Sequence, residues 1–281
     1  MCKLPWTIRE TQQHFKVNYR EFLGTNPKTE KSEIPTRILH LAPAKLSGKN
    51  LCPGAGNCQK ICLHFSGNPA YFNSKQASRI RKAKLYNEAP MHFLNLLTLA
   101  IAYEFHRNEC QPMAVRLNGT SDLKYEDLEM CLSDEVAAFI GERFGLNIAG
   151  GFYNNIFEVF RNYDIRFYDY TKIKRNWAKC KALGYHLTFS FDGHSNTRNI
   201  KLCRDAFKHG LNIAAAFNIR KGHKLPEVAA IESLGISAPV YDGDLSDYRP
   251  NDPTGHVIGL RFKIPRKLQF SPQDVAEFCA C

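Results

Sequence analysis

The sequence predicts an α/β fold, a (β/α) barrel that is complete or partly open. Three observations carry this. Apolar, β-rich runs of five to eight residues alternate with helical segments along the chain. About seven such units follow one another without a linker or an internal repeat. No G-x-G-x-x-G follows the first strand, so the doubly wound alternative lacks its usual mark. Residues 36–281 are read as one domain, and residues 1–35 as a polar, charged N-terminal extension ending in a Lys/Glu/Pro-rich patch from Asn26 to Pro35.

The elements follow in order. TRILHLAP, from Thr36, is the first strand. A helical region from about Ser74 to Arg107 comes next, broken before Pro90. Its first part carries Arg79, Arg81, Lys82 and Lys84 as a basic face, and its second is apolar enough for a buried helix. PMAVRLNGTSD is the second strand with its exit. Helices around Val136–Arg143 and Asn155–Asn162 precede DIRFYDYTK, the third strand. Lys174–Leu183 is a short helix capped by Gly184, and YHLTFSFDG is the fourth strand. A helix over Asn196–His209 leads to LNIAAAFNI, the fifth strand. A short helix around Pro226–Leu234 separates it from APVYDGD and HVIGLRFK, the sixth and seventh.

Composition narrows the class. The 281 residues suffice for a full core, and 44% hydrophobic content indicates a globular chain. The net charge of +11 favours an anionic partner, nucleic acid above all, with a merely basic globular protein as the plain alternative. The N-terminus lacks an apolar signal region, and no run of about 18 apolar residues provides a membrane span. The ten cysteines are therefore expected as reduced thiols in the cytoplasm.

Cys52, Cys58 and Cys62 stand within eleven residues, LCPGAGNCQKICLHFSG, right after the first strand. Cys58 and Cys62 are one helical turn apart, and the glycine segment can fold Cys52 back over them. This suits a metal ion or an iron–sulfur cluster, although the spacing is that of neither zinc ribbons nor ferredoxins; buried thiols are the alternative. In a (β/α) barrel the active site lies at the C-terminal strand ends. Those ends supply Asn118, Ser121 and Asp122, then Asp169, Tyr170 and Lys172, then Asp192, then Asp242 and Asp244, then Arg261. Any single aspartate can be a turn or cap residue; as a set they mark a site. Arg79, Arg81, Lys82, Lys84 and Lys172 could carry a phosphate backbone while the acidic mouth receives a flipped base.

The strings SGKNLCPGAGNCQKICLHFSG, RLNGTSD, YDYTK and VYDGDLSDYRPNDPTGHVIGLRFK, covering roughly Leu39 to Lys263, resemble phage-encoded DNA-guanine transglycosylases, relatives of tRNA-guanine transglycosylase. The resemblance implies a barrel that exchanges guanine in DNA for a 7-deazaguanine base. Ser121 and Asp122 would hold the base, and Asp242 or Asp244 would attack the sugar. Asn118, Asp169, Tyr170, Asp192 and Arg261 would contact substrate. It also implies a structural zinc, which here would fall to Cys52, Cys58 and Cys62, whereas that family carries its zinc near the C-terminus. The host cytoplasm would be the compartment. The same cysteine loop is similar to that of radical S-adenosylmethionine enzymes, whose cluster ligands follow the first strand of a partial barrel. Their spacing is C-x₃-C-x₂-C; this chain has C-x₅-C-x₃-C and no clear Gly-Gly-Glu after the second strand. The third alternative is a non-catalytic DNA-binding protein stapled by zinc.

Overall fold

The structure is a computed structural model. It describes residues 2–26, 29, 32, 34–65, 72–263 and 269–280. The end of the cysteine stretch, Ser66 and Gly67, and part of the Lys/Glu/Pro-rich patch lie outside the described residues.

The runs of apolar β-formers become a nine-stranded, mostly parallel sheet. Seven strands are parallel: β2 (Thr36–Leu39), β3 (Met113–Arg116), β6 (Ile165–Thr171), β7 (Tyr185–Ser190), β8 (Ile213–Phe217), β11 (Val257–Arg261) and β10 (Ile236–Asp242), in that spatial order. Antiparallel β1 (Leu23–Gly24) and β9 (Val228–Ile231) form the two edges. A separate hairpin pairs β4 (Met130–Leu132) with β5 (Gly151–Tyr153). Among the described residues no pairing joins the two edges, so no closed barrel is seen.

The helices are α1 (Ile8–Phe15), α2 (Phe72–Glu88), α3 (Pro90–Arg107), α4 (Asp134–Phe144), α5 (Ile156–Val159), α6 (Trp177–Ala182), α7 (Thr197–Lys208) and α8 (Pro272–Phe278). The break expected before Pro90 falls at Ala89, where proline opens the next helix instead of interrupting it. The helix α3 is buried along almost its whole length, because it packs between α2, α4 and the small hairpin. Among the described residues no helix is long and apolar enough to cross a membrane.

Several elements depart from the sequence expectation. The polar N-terminal segment carries α1 and β1, and Phe15, Tyr19, Phe22 and Leu23 join the main core. Pro226–Leu234 is helical only over Glu232–Leu234, as a 3₁₀ turn. Its Val228–Ile231 stretch alternates exposed and buried residues and pairs with β10 across a turn whose Gly235 has φ +61°. Two β-branched residues at an edge register overrode a weak helical pattern. The last two parallel strands are exchanged in space: β11 inserts between β8 and β10.

The cysteines are not all reduced. Cys2 and Cys131 form a disulfide with Cα atoms 5.7 Å apart, tying the N-terminal segment to β4. The segment runs along α3, with the Trp6 amide donating to His92 Nε2 at 3.3 Å, and this brings Cys2 within bridging reach.

Candidate active site

The loop leaving β2 holds the three cysteines, and its shape is set by one carboxylate. Asp192, just past β7, accepts the Asn57 amide on Oδ2 at 3.0 Å and the Cys58 amide on Oδ1 at 2.9 Å. Asn196 Nδ2 adds a third bond to Oδ2 at 2.7 Å, and Asn57 Nδ2 returns one to the Asp192 carbonyl at 3.0 Å. Gly56 allows this approach, since a Cβ there would stand 2.6 Å from Asp192 Oδ2. On its other side the loop is tied to the β3 exit, where the Asp122 amide donates to the Leu51 carbonyl at 2.8 Å. Cys52 Sγ lies 3.4 Å from the Ala44 amide and 3.5 Å from the Thr120 carbonyl.

Cys52, Cys58 and Cys62 are free thiols and line one cavity of about 710 Å³. That size suits a drug- or nucleotide-sized ligand. The walls come from six parallel strands, through Ile38, Arg116, Tyr170, Ser190, Ala214 and Leu260. Burial pushes the Cys52 thiol up to about 11 and Cys58 to about 12, and it raises Cys62 as well. Lys172 sits among them. Burial works to lower its pKa, but the negative charges of Cys58, Asp192 and Asp122 prevail and raise it. Among the described residues no three His, Cys, Asp or Glu side chains are grouped so as to hold a single metal ion.

The aspartates gather at the strand exits as expected, but they hold the protein together. Asp122 lines the cavity with both oxygens engaged: Oδ1 accepts Thr171 Oγ1 at 2.8 Å and Arg175 Nη2 at 2.7 Å, and Oδ2 accepts the Lys172 amide at 2.7 Å. Asp169 is buried and accepts the Leu117 and Asn118 amides and the Tyr185 hydroxyl, at 3.0, 2.9 and 2.7 Å; burial raises it to about 6. Asn118 Oδ1 accepts Ser121 Oγ at 3.0 Å and the Leu123 amide at 2.8 Å, which shapes the turn. Arg261 grips Asp242 with two bonds of 2.8 Å and reaches Asp244 at 3.2 Å, and its hydrogen bond holds the Asp242 carboxyl below the usual range. Arg261 lines the cavity, whereas Asp242 and Asp244 are not among its lining residues.

The basic face of α2 is split. Arg79 and Lys82, three apart, turn inward: Lys82 is buried and donates to the Phe22 carbonyl at 3.0 Å, while Arg79 lines the cavity. Arg81 is half-buried and Lys84 exposed, so the four cations do not present one surface to a phosphate backbone. Lys172 faces the cysteines. Sequence reasoning passed over Arg116, His40 and His64, which all line the cavity. For Arg116 the available signal was a charged residue ending an otherwise apolar strand, MAVR.

The gene product 88 family matches residues 12–279 of this chain. The chain belongs to that family. No curated protein and no solved structure matches it. In gene product 88, then, the match spans the sheet, the cysteine loop and every residue of the cavity named above.

Proposed function

We propose that this gene product 88 protein is an iron–sulfur enzyme of the radical type, built on a partly open (β/α) barrel, with Cys52, Cys58 and Cys62 as cluster ligands. The observation that carries the reading is the convergence of three free thiols, from the loop after the first parallel strand, on a ligand-sized cavity walled by six strands. The donor set fits: thiolates are the ligands iron–sulfur clusters take, and three of them leave one iron open to a cosubstrate. When bound, the cluster would supply one-electron chemistry to S-adenosylmethionine. The chain's own residues then have defined tasks. Asp192 holds the loop that presents Cys58, Lys172 places a positive charge beside the thiolates, and the cavity walls exclude water from the substrate.

Anaerobic purification with iron and sulfide analysis tests this. The expected result is about four irons per chain, lost together in Cys52→Ala, Cys58→Ala and Cys62→Ala. One zinc and no iron, unchanged by those substitutions, would overturn it. Base exchange on DNA is the second reading, and it draws on Ser121 and Asp122 facing the cavity and on the net charge of +11. Incorporation of radiolabelled guanine into DNA, by protein free of iron, would favour it.

A further inference from the structure

The cavity has a charged end that the cluster reading leaves unused. Arg116, at the end of β3, lies over the Tyr170 ring at 5.0 Å and the Tyr168 ring at 5.7 Å, measured from its guanidinium carbon. Its Nε is buried and meets no hydrogen-bond partner among the described residues. Arg79 approaches from α2, with Nη1 2.9 Å from His64 Nδ1. A guanidinium can only donate, so His64 Nδ1 accepts and its proton sits on Nε2. That Nε2 is also buried without a partner among the described residues. His40 lines the same cavity, and both arginines help to lower its pKa. Packing fixes it in place, since a Cβ on Gly119 would stand 2.6 Å from its Nδ1.

The charge balance around the cavity is one-sided. Asp122 is neutralised by Arg175, and Arg261 is taken by Asp242 and Asp244. Asp247, which accepts from Asn26 Nδ2 at 3.0 Å, is the remaining lining carboxylate among the described residues, against Arg79, Arg116 and Lys172. The other walls are apolar, through Ile61, Phe65, Phe191, Phe262 and Phe278. A buried guanidinium donor without a partner, as at Arg116 Nε, is costly unless an anion or water completes it, and a guanidinium stacked on aromatic rings suits a planar or tetrahedral oxyanion.

We infer that Arg116 and Arg79 bind the anionic head of the substrate, a small organic carboxylate or phosphate monoester whose apolar body fills the rest of the cavity. This deepens the proposed function and rests on the same cavity, though not on the cluster.

The test uses the full-length protein, as purified and after chelation, with two fluorescent probes of similar body. One is 8-anilinonaphthalene-1-sulfonate, which carries a fixed negative charge, and the other is neutral N-phenyl-1-naphthylamine. Wild type is expected to bind one equivalent of each. Arg116→Gln is expected to weaken the sulfonate about tenfold or more, as loss of a charge-assisted pair implies, and to leave the neutral probe within about twofold. Displacement by benzoate or by phenyl phosphate then identifies the head group as carboxylate or phosphate. Equal affinity of wild type and Arg116→Gln for the sulfonate overturns the inference, as does displacement by neither competitor. Should Arg116→Gln lose the wild-type circular dichroism spectrum, Arg79→Gln carries the same comparison. An iron-free protein that still discriminates the probes would remove the cluster reading and keep this one; a four-iron protein that does not discriminate would do the reverse.

Discussion

Asp192 and Cys58 are 134 residues apart in sequence, yet the Asp192 carboxylate accepts the Cys58 amide at 2.9 Å. Through that bond the exit of β7 sets the position of a thiol carried by the exit of β2. The same carboxylate takes the neighbouring Asn57 amide, and the Asn57 side chain returns a bond to the Asp192 carbonyl, so backbone and side chain together hold the loop. A sheet that places strand ends side by side is what makes such a clamp possible. The cysteines' role therefore depends on an aspartate that the sequence had marked as a substrate contact.

Asp192→Ala removes the acceptor for two loop amides and leaves both without a protein partner. It is expected to cost about 1–3 kcal/mol, read by urea denaturation, and to lower iron content more than Ser195→Ala does. Equal iron content in both variants would separate the clamp from the metal site.

The Cys2–Cys131 bridge closes a loop with a sequence separation of 129. Cross-linking a loop of that length restricts the unfolded chain, so Cys2→Ser is expected to lower stability by about 2–5 kcal/mol. A denaturation midpoint unmoved by Cys2→Ser, or by a reducing agent on wild type, would show that the two thiols are not joined in solution.

Much of the fold was legible in the residues, and the failures have physical reasons. The parallel strands were readable because most of their residues are buried and apolar, as in IAAAF and MAVR. The edge strand Val228–Ile231 was not, because its partner lies across a turn that local pattern does not reveal. The exchange of β10 and β11 is a matter of long-range pairing, which no local signal encodes. At the site, the cysteines and Asp122, singled out in the sequence, line one cavity. The difference between a catalytic aspartate and one spent on amides and arginines depends on hydrogen-bond partners, as Asp169 and Asp242 show. Arg116 was missed because one charge in an apolar strand resembles ordinary edge variation until its rings and its unpartnered Nε are seen.

Acid stability should carry the mark of His40. Burial, together with Arg79 and Arg116, holds its pKa well below 6.5. The folded state thus binds fewer protons than the unfolded chain as pH falls from 6.5, and the stability contributed by neutral His40 is present above that pH and lost below it. Asp169 and Asp252 act in the opposite sense: burial raises each to about 6, so their contribution is present below the unfolded carboxyl range and lost as pH rises through about 6. Net melting curves mix the two. The difference between wild type and His40→Gln isolates the histidine, and it should shrink steadily from pH 7 to pH 5. A difference that stays constant over that range would contradict a buried, neutral His40.

Arg175 decides what Asp122 is for. Its side chain is fully buried, with Asp122 at 2.7 Å and Glu126 at 2.8 Å. It also donates to the Leu123 carbonyl at 2.9 Å and to Thr171 Oγ1 at 3.1 Å. Every arm of the guanidinium is thus committed, and removing it leaves Glu126 buried, and Asp122 at the cavity wall, without their cation. Arg175→Met is expected to destabilise the fold by about 3–5 kcal/mol. Asp122→Asn keeps the shape but weakens the charge-assisted bonds, so a loss of about 1–3 kcal/mol is expected, measured by denaturant titration. The double variant should cost less than the sum of the two, because each single change already breaks the same pair. If Asp122 instead served a base through a free oxygen, Asp122→Asn would leave stability unchanged and the two substitutions would add. Coupling between them is therefore the measurement that separates an aspartate holding the cavity wall from one acting on a substrate within it.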